Sequence, residues 1–446
     1  MTYCAQLPSS AMSLRTKLLD GADTGGAVAR QSYAMAVINF SKAFMGASSF
    51  ELPWAFAQAG LVGGVVGTLA FAVLSNVCFS MLVQVSHLCS TPEHKNPTYP
   101  QIGRMCFGVA GETLVWFGMV AMTIGVCGSY LIFVGQTMAE LVDQFLFGDG
   151  TPPSENPPYT TACTVLAALP AAALSSIRTT RALSYASAIG LLATFVACAV
   201  VAYDALTRPD ATFDLGRVLA REPAVRWPTY PLFLGNAGYL FLISTAVLPL
   251  EQSMDPEHRP HFSSAFSVAQ VIASVPNVCF AVVTAVAYGS TPEGVQPNVM
   301  ANLTPGTLST LVDLAMAINQ LFTFAIFMLS MAESLELWLF VARGAGPSVE
   351  LGRNIVRFGL TAAAAGIAIC IPNFALLTGL TGAFGNNLLA FVFVPVFFVA
   401  RRRALGRAGV HGPLSLTEWG TCGILLTFGK TLLVLSTAST VARALE

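Results

Sequence analysis

Two short segments place oxygen-bearing side chains just before a proline inside long apolar runs. One is Ser48-Ser49-Phe50-Glu51-Leu52-Pro53 and the other is Ser244-Thr245-Ala246-Val247-Leu248-Pro249. Proline removes a helix hydrogen bond, and lipid offers the freed backbone groups no new partner. A spanning helix broken in this way survives where the break is buried in protein or faces a cavity. Free N–H groups and the positive end of a helix dipole at the break suit a carboxylate. Carbonyls ending the preceding half suit an ammonium group or a metal cation. A site offering both matches a zwitterion, and free amino acids are the obvious zwitterions. Corresponding breaks in two halves of a membrane protein point to a midplane binding site in a repeat-built transporter. Plain proline kinks packed between neighbouring helices are the alternative.

Locally, the sequence predicts that Gly46-Ala47-Ser48-Ser49 leaves helical geometry and that the hydroxyls cap the half-helix that restarts, with Pro53 near its first turn. Ser244-Thr245 before Pro249 reads the same way. The substrate-binding residues expected at the breaks are Gly46, Ala47, Ser48 and Ser49, then Phe241, Leu242, Ile243, Ser244 and Thr245. Among coupling and gating candidates Glu51 is the sharpest, because a charge in hydrocarbon is costly. It reads either as a proton carrier or as one half of a Ser48-x-x-Glu51 capping box. Lys42 is a second candidate, or a side chain snorkelling to the cytoplasmic interface. Glu251, like Glu333 and Glu336, falls near a cytoplasmic helix end, where a gate salt bridge and simple solvation both fit. Thr323 is a possible sodium ligand, since hard cations prefer oxygen donors, or it bonds back to its own helix. No other metal site and no cofactor beyond the coupling ion, H⁺ or Na⁺, is expected.

The elements that must position these groups are membrane helices. The chain is 54% hydrophobic and 10% charged, against roughly 25% charged in an ordinary soluble domain, which excludes a soluble protein. A net charge of −1 without a basic block argues against a nucleic-acid partner. Ten cysteines with no CxxC support neither a zinc site nor an extracellular disulfide framework. Apolar runs long enough to span lie near 33–58, 62–87, 113–142, 159–178, 182–205, 229–250, 262–288, 307–340, 354–371, 374–400 and 418–442. The fold class is therefore an all-α polytopic membrane protein of about eleven spans. Residues 1–32 form a polar N-terminal segment without the apolar core of a cleavable signal. Arg208, Arg217, Arg221, Arg226 and Arg443 fall on one side of this arrangement, Lys42 and Lys430 within spans, and the remaining Lys and Arg on the other side. The excess marks that other side as cytoplasmic, placing the N-terminus inside and the C-terminus outside or in a lumen. Asn302-Leu303-Thr304 reads as a glycosylation sequon on an outer loop.

Four stretches resemble the amino acid/auxin permease family of the amino acid–polyamine–organocation superfamily. Lys42 through Ala55 is similar to that family's first helix, K-x-x-x-G-x-G-x-L-x-L-P-x-A. Phe233-Leu234-Gly235 through Val247-Leu248-Pro249-Leu250-Glu251-Gln252-Ser253-Met254 resembles its sixth, which ends L-P-x-E-x-x-M. Asn302 to Pro305, Phe322-Thr323-Phe324 and Ala332 to Glu336 resemble the loop and eighth helix. Pro372-Asn373-Phe374, Gly379 to Gly385 and Leu388 to Phe391 resemble the ninth–tenth junction. The resemblance implies a leucine-transporter-like five-plus-five inverted repeat plus one helix, alternating access, and amino-acid symport with H⁺ or Na⁺. It divides the chain into a first repeat at 33–205, an outer loop at 206–228, a second repeat at 229–400, a basic cytoplasmic loop at 401–417, and an eleventh helix with the outer C-terminus at 418–446. It also sets Tyr130 and Phe133 among aromatics that face substrate. Glu51 stands where the family carries an aliphatic residue, and Ser48 and Ile243-Ser244-Thr245 stand where it carries glycine.

The sequence is thus read as a secondary active transporter of neutral amino acids by cation symport, a proton somewhat favoured over sodium. A membrane amino-acid sensor with little transport, or a carrier of a related small organic amine or acid, are the rivals. No His-rich, Ser–Lys or paired-Asp constellation within the spans suggests an enzyme. The partners expected are an amino acid and the bilayer, in a plasma or a vacuolar or lysosomal membrane; the oligomeric state is left open.

Overall fold

Long runs of Leu, Val, Ala, Phe and Gly without ionisable residues have one way to satisfy their backbone in lipid, and the chain takes it. The computed structural model describes residues 31–91, 95–143, 157–175, 180–340, 347–410 and 412–445. Its helices are α1 (Tyr33–Ala43), α2 (Ala47–Ala59), α3 (Leu61–Cys89), α4 (Tyr99–Val142), α5 (Pro157–Ser175), α6 (Thr180–Thr207), α7 (Leu215–Arg221), α8 (Tyr230–Phe241), α9 (Ser244–Ser253), α10 (Phe262–Tyr288), α11 (Thr307–Phe340), α12 (Pro347–Cys370), α13 (Phe374–Arg407) and α14 (Leu416–Leu445). Among the described residues there is no strand, and nine helical spans are long and apolar enough to cross a bilayer. The sequence expectation was about eleven. Its first run is divided between α1 and α2, each too short to cross alone, and its fourth corresponds to the shorter α5.

Several expected boundaries shift for local reasons. The third run begins earlier, at Tyr99, because a true capping box forms there: Thr98 and Gln101 exchange side-chain and backbone hydrogen bonds. The chain then bends at Phe107 and Gly108, where a φ of 65° favours glycine. The expected outer loop at 206–228 contains the short α7, capped by Asp214. The expected basic loop 401–417 is helical through Arg407. Arg401 donates to the Leu88 carbonyl at 2.9 Å, and Arg402 pairs with Glu418 at 3.2 Å. Of the N-terminal segment, residues 1–30 lie outside the described residues, as do Arg178 and Arg343 of the expected cytoplasmic set. Gln31 is tied to the end of α9: its N–H donates to the Ser253 carbonyl at 2.9 Å, and its own carbonyl accepts from Asp255 N–H at 3.0 Å.

Helices α8 and α13 approach closely through small residues, the device membrane helices use where burial alone gives no driving force. A methyl group on Gly382 would stand 2.0 Å from the Gly235 carbonyl, and one on Gly235 would stand 2.5 Å from the Gly379 carbonyl. Aromatic rings fill the remaining core, with Phe40 and Phe44 edge-on to Phe266, and Phe50 beside Phe133 and Phe280. Phe133 is fully buried in this packing. Two π-helical turns, Gly382–Asn386 and Leu388–Val392, interrupt α13 beside the broken helices.

Asn302 is 1% exposed and its amide is engaged at both ends. Its Nδ2 donates to the Gly294 carbonyl at 2.8 Å, and its Oδ1 accepts from Gln296 N–H at 2.9 Å. In the folded chain this sequon is a loop clasp with no room for a glycan.

Candidate functional site

Both helices are broken, each slightly earlier in the chain than the sequence reading places the break. Residues 44–46 separate α1 from α2, and Leu242 and Ile243 separate α8 from α9. The capping expectation is overturned. Helix α2 is preceded by Gly46 and α9 by Ile243, and neither start has a side-chain cap. Ser48 and Ser244 therefore sit inside the first turns, where a hydroxyl has no reach to an N-cap role. The helices start earlier than the capping rule assumes, so Pro53 and Pro249 lie in helix interiors and not in first turns. Each proline leaves the carbonyl one turn back, at Ser49 or Thr245, without its helical donor. Gly46 is also reinterpreted. Its φ of −178° is open to any residue, and an added methyl would meet nothing within 4 Å. What glycine supplies here is space.

That space belongs to a cavity of about 820 Å³ running from the breaks to one end of the molecule. Of the expected residues, Lys42, Gly46, Ala47, Ser48, Tyr130, Leu242, Ile243, Ser244, Thr245 and Thr323 line it. Ser49, Glu51, Phe241 and Glu251 do not. Ser49 and Phe241 are buried behind the lining, and Glu251 meets His87 Nε2 at 3.3 Å at the end of α9. Of the other two glutamates, Glu336 joins Arg357 at 2.6 Å.

Two helix N-termini thus open into one space. At α2 the Ser49 N–H reaches back to the Gly46 carbonyl at 3.1 Å, and at α9 the Ala246 N–H reaches Ile243 at 2.9 Å. The N–H groups of Ala47 and Ser48, and of Ser244 and Thr245, precede these bonds and have no intrahelical carbonyl to meet. Opposite them stand the carbonyl ends of α1 and α8. The Phe44 carbonyl is taken by Asn277 Nδ2 at 3.2 Å, which pins the first break to α10.

Helices α4, α6 and α11 complete the wall. Tyr130 packs edge-on to Phe327 with ring centroids 6.0 Å apart. Thr323 donates its hydroxyl to the Asn319 carbonyl at 2.8 Å, the back-bonded arrangement, which leaves its oxygen facing the cavity as an acceptor. Sequence reasoning missed Met122, Thr123, Asn319, Gln320, Asn386 and Trp338, all of which line the space. A polar stripe at helical spacing, Asn319, Thr323, Ser330 and Ser334 in an otherwise apolar run, was the available signal.

The cavity reaches Gln31, Thr98, Gln101 and Glu112 at its mouth. The opposite end is stitched shut. There Arg226 donates to the Ala57 carbonyl from its side chain and to the Ala59 carbonyl from its N–H, both at 2.8 Å, and Thr229 donates to Gln58 at 2.6 Å. Gly60 makes this contact possible: its φ is 79°, and a side chain would strike the Pro223 carbonyl at 2.8 Å.

Comparison with known proteins accords with this geometry. A model of the family described as transmembrane amino acid transporter protein matches residues 29–404. The chain is 28% identical over 370 residues to amino acid transporter AVT3A of Arabidopsis thaliana, covering 80% of this chain and 78% of that protein. It is 27% identical to amino acid transporter AVT3C of the same plant, covering 80% of each. It is 28% identical to vacuolar amino acid transporter 4 of Saccharomyces cerevisiae over 59% of this chain and 36% of that protein. The chain belongs to the transmembrane amino acid transporter family, a family of carriers and not of enzymes.

Proposed function

We propose that this family member carries neutral amino acids across its membrane by secondary active symport, with a proton as the coupling ion. The observation that carries the reading is the convergence of two unpaired helix N-termini and two carbonyl ends on one cavity. The N–H groups of α2 and α9 suit a substrate carboxylate, and the carbonyls ending α1 and α8 suit its ammonium group. Met122, Val126, Tyr130 and Phe327 offer an apolar surface to the side chain. Of the charged residues of the lining, Glu112 lies at the mouth and is paired with Arg104 at 2.9 Å, while Lys42 stands in the last turn of α1 beside the first break. A cationic side chain would find no counter-charge at the breaks, which disfavours basic substrates.

A cavity open at one end and stitched at the other is what one state of an alternating-access cycle requires. With the N-terminus cytoplasmic, as the basic residues suggest, this state faces the cytoplasm. The name of the yeast relative favours a vacuolar membrane. Thr323 would be the sodium ligand if sodium coupled instead.

The test is uptake of a labelled amino-acid panel into proteoliposomes under imposed pH and sodium gradients in parallel. Accumulation driven by the pH gradient is the expected result. Binding without accumulation under either gradient would replace the reading with that of a sensor.

A further inference from the structure

Glu51 occupies an unusual setting. It is wholly buried, it does not line the substrate cavity, and neither carboxylate oxygen has a hydrogen-bond partner among the described residues. Among the described residues, the helices packed on α2 bring no counter-charge to Glu51: α4, which meets α2 where Phe133 faces Phe50, carries its charges at Arg104, Glu112 and Glu140, away from that contact along the helix. Helices α3, α8 and α10 contain no Asp, Glu, Lys or Arg at all, and α13 has none before Arg401. His87, the ionisable group on α3, is engaged with Glu251 at that helix's far end.

What faces the carboxyl is neutral and polar. Thr378 of α13 lies close enough to interact with it. The Thr378 hydroxyl in turn reaches Asn236 Oδ1 of α8 at 3.2 Å, while Asn236 Nδ2 and the Ser49 hydroxyl find no partner among the described residues. Tyr130 of α4 and Tyr239 of α8 lie within electrostatic reach of Glu51, and Tyr239 is fixed by a 2.8 Å bond to Ser129. Both tyrosines also line the substrate cavity. Both therefore border the cavity and lie near the carboxyl.

An ionised carboxylate sealed in a membrane protein without a counter-ion is far too costly to persist, and a buried acid escapes that cost by holding a proton. We propose that Glu51 is a proton-binding site separate from the substrate cavity, sealed by Tyr130 and Tyr239 and exchanging its proton when those two side chains move with substrate. As an acid, Glu51 can donate to Thr378 Oγ1, whose own proton is shared between the Phe374 and Ala375 carbonyls, at 2.9 and 3.1 Å, and Asn236 Oδ1 at 3.2 Å. One proton thereby extends a chain across α2, α13 and α8. Two of these elements, α2 and α8, flank the breaks. A displacement of either half-helix divides the chain and brings the carboxyl to water, where the proton leaves. This inference rests on the transport reading and names the group that couples it.

The test uses the full chain in proteoliposomes enclosing a pH-sensitive dye, with labelled amino acid on either side. One pH unit across the membrane corresponds to about tenfold accumulation for one proton per substrate. The wild type is expected to approach that ratio and to move protons when substrate is added. Glu51→Gln is expected to fall to a ratio near unity with no substrate-linked proton movement, while exchange of labelled for unlabelled substrate continues. Proton movement at the wild-type level in Glu51→Gln would overturn the proposal. Absence of exchange in the wild type would instead defeat the transport reading. If Glu51→Gln loses exchange as well, Thr378→Val decides. A shifted pH midpoint of gradient-driven uptake supports the site, and an unmoved midpoint sinks it.

Discussion

The Arg357 guanidinium meets the Glu336 carboxylate at 2.6 Å, tying α12 to α11 where the two side chains are 4% and 9% exposed. A second arm of Arg357 donates to the Ser175 carbonyl of α5 at 3.1 Å, so one cation holds three helices. Removing one partner of a buried pair costs about 3–5 kcal/mol, and without Arg357 the Glu336 carboxylate keeps only the longer contact to Arg353 at 3.8 Å. Arg357→Met is therefore expected to lower the unfolding temperature in detergent strongly. The double variant Arg357→Met/Glu336→Leu should recover much of the loss. A single variant as stable as the wild type would show that the pair holds nothing together.

Gly46 separates space from conformation as causes. Its backbone is extended, and a methyl group would enter the cavity untouched. Gly46→Ala is expected to change stability by no more than about 0.5 kcal/mol. Gly46→Phe, by contrast, should fold and yet fill the space between the two helix N-termini, abolishing substrate exchange. Thermal unfolding and exchange measured on the same two proteins check this. Equal losses of stability would return the glycine to a conformational role.

Asn302 should carry no glycan in the folded protein, because both ends of its amide close the 294–302 loop. Protein made in a glycosylating host is expected to keep its electrophoretic mobility after endoglycosidase treatment. Asn302→Ala should cost about 1–3 kcal/mol, the price of leaving buried partners unmatched.

Much of this arrangement was legible in the residues. Composition pointed to the all-α membrane class, and the twin Leu-Pro segments lie just after both helix breaks and supply part of the cavity's lining. What the sequence misled on was the register within the breaks. Ser48-x-x-Glu51 has the spacing of a capping box, but that spacing works only from the N-cap position, and α2 starts two residues after Met45, with Gly46 in that place. The same pattern at Ser415 and Glu418 does cap a helix, because Leu414 precedes it outside regular structure. Local pattern thus names a possible cap, while tertiary packing chooses where the helix begins. The contributions of α11 and α13 were harder to read for another reason. Gln320 and Asn386 reach the cavity from segments far away in the chain, and nothing near them in sequence records that meeting.

The last prediction concerns pH at the stitched end of the molecule. Arg208 donates to Asp210 at 2.7 Å and to the Asn302 carbonyl at 2.8 Å, so it ties the segment after α6 to the loop before α11. The hydrogen bond from Arg208 holds the Asp210 carboxyl below its ordinary value of 3.8. A carboxyl whose pKa is lowered by folding contributes stability above the unfolded value, and that contribution fades only as pH falls through the lowered one. The clasp is therefore expected to remain fully made from neutral pH down to about pH 5, the range an acidic compartment spans, and to loosen only in stronger acid. Hydrogen exchange of residues 206–214, corrected for its intrinsic pH dependence, should show constant protection across that range in the wild type. Asp210→Asn should show lower protection at every pH in it, with little slope. Protection that falls steadily between neutral pH and about pH 5 would mean that a different group governs this loop, and Glu293, at 3.7 Å from Arg208, would be the next to replace.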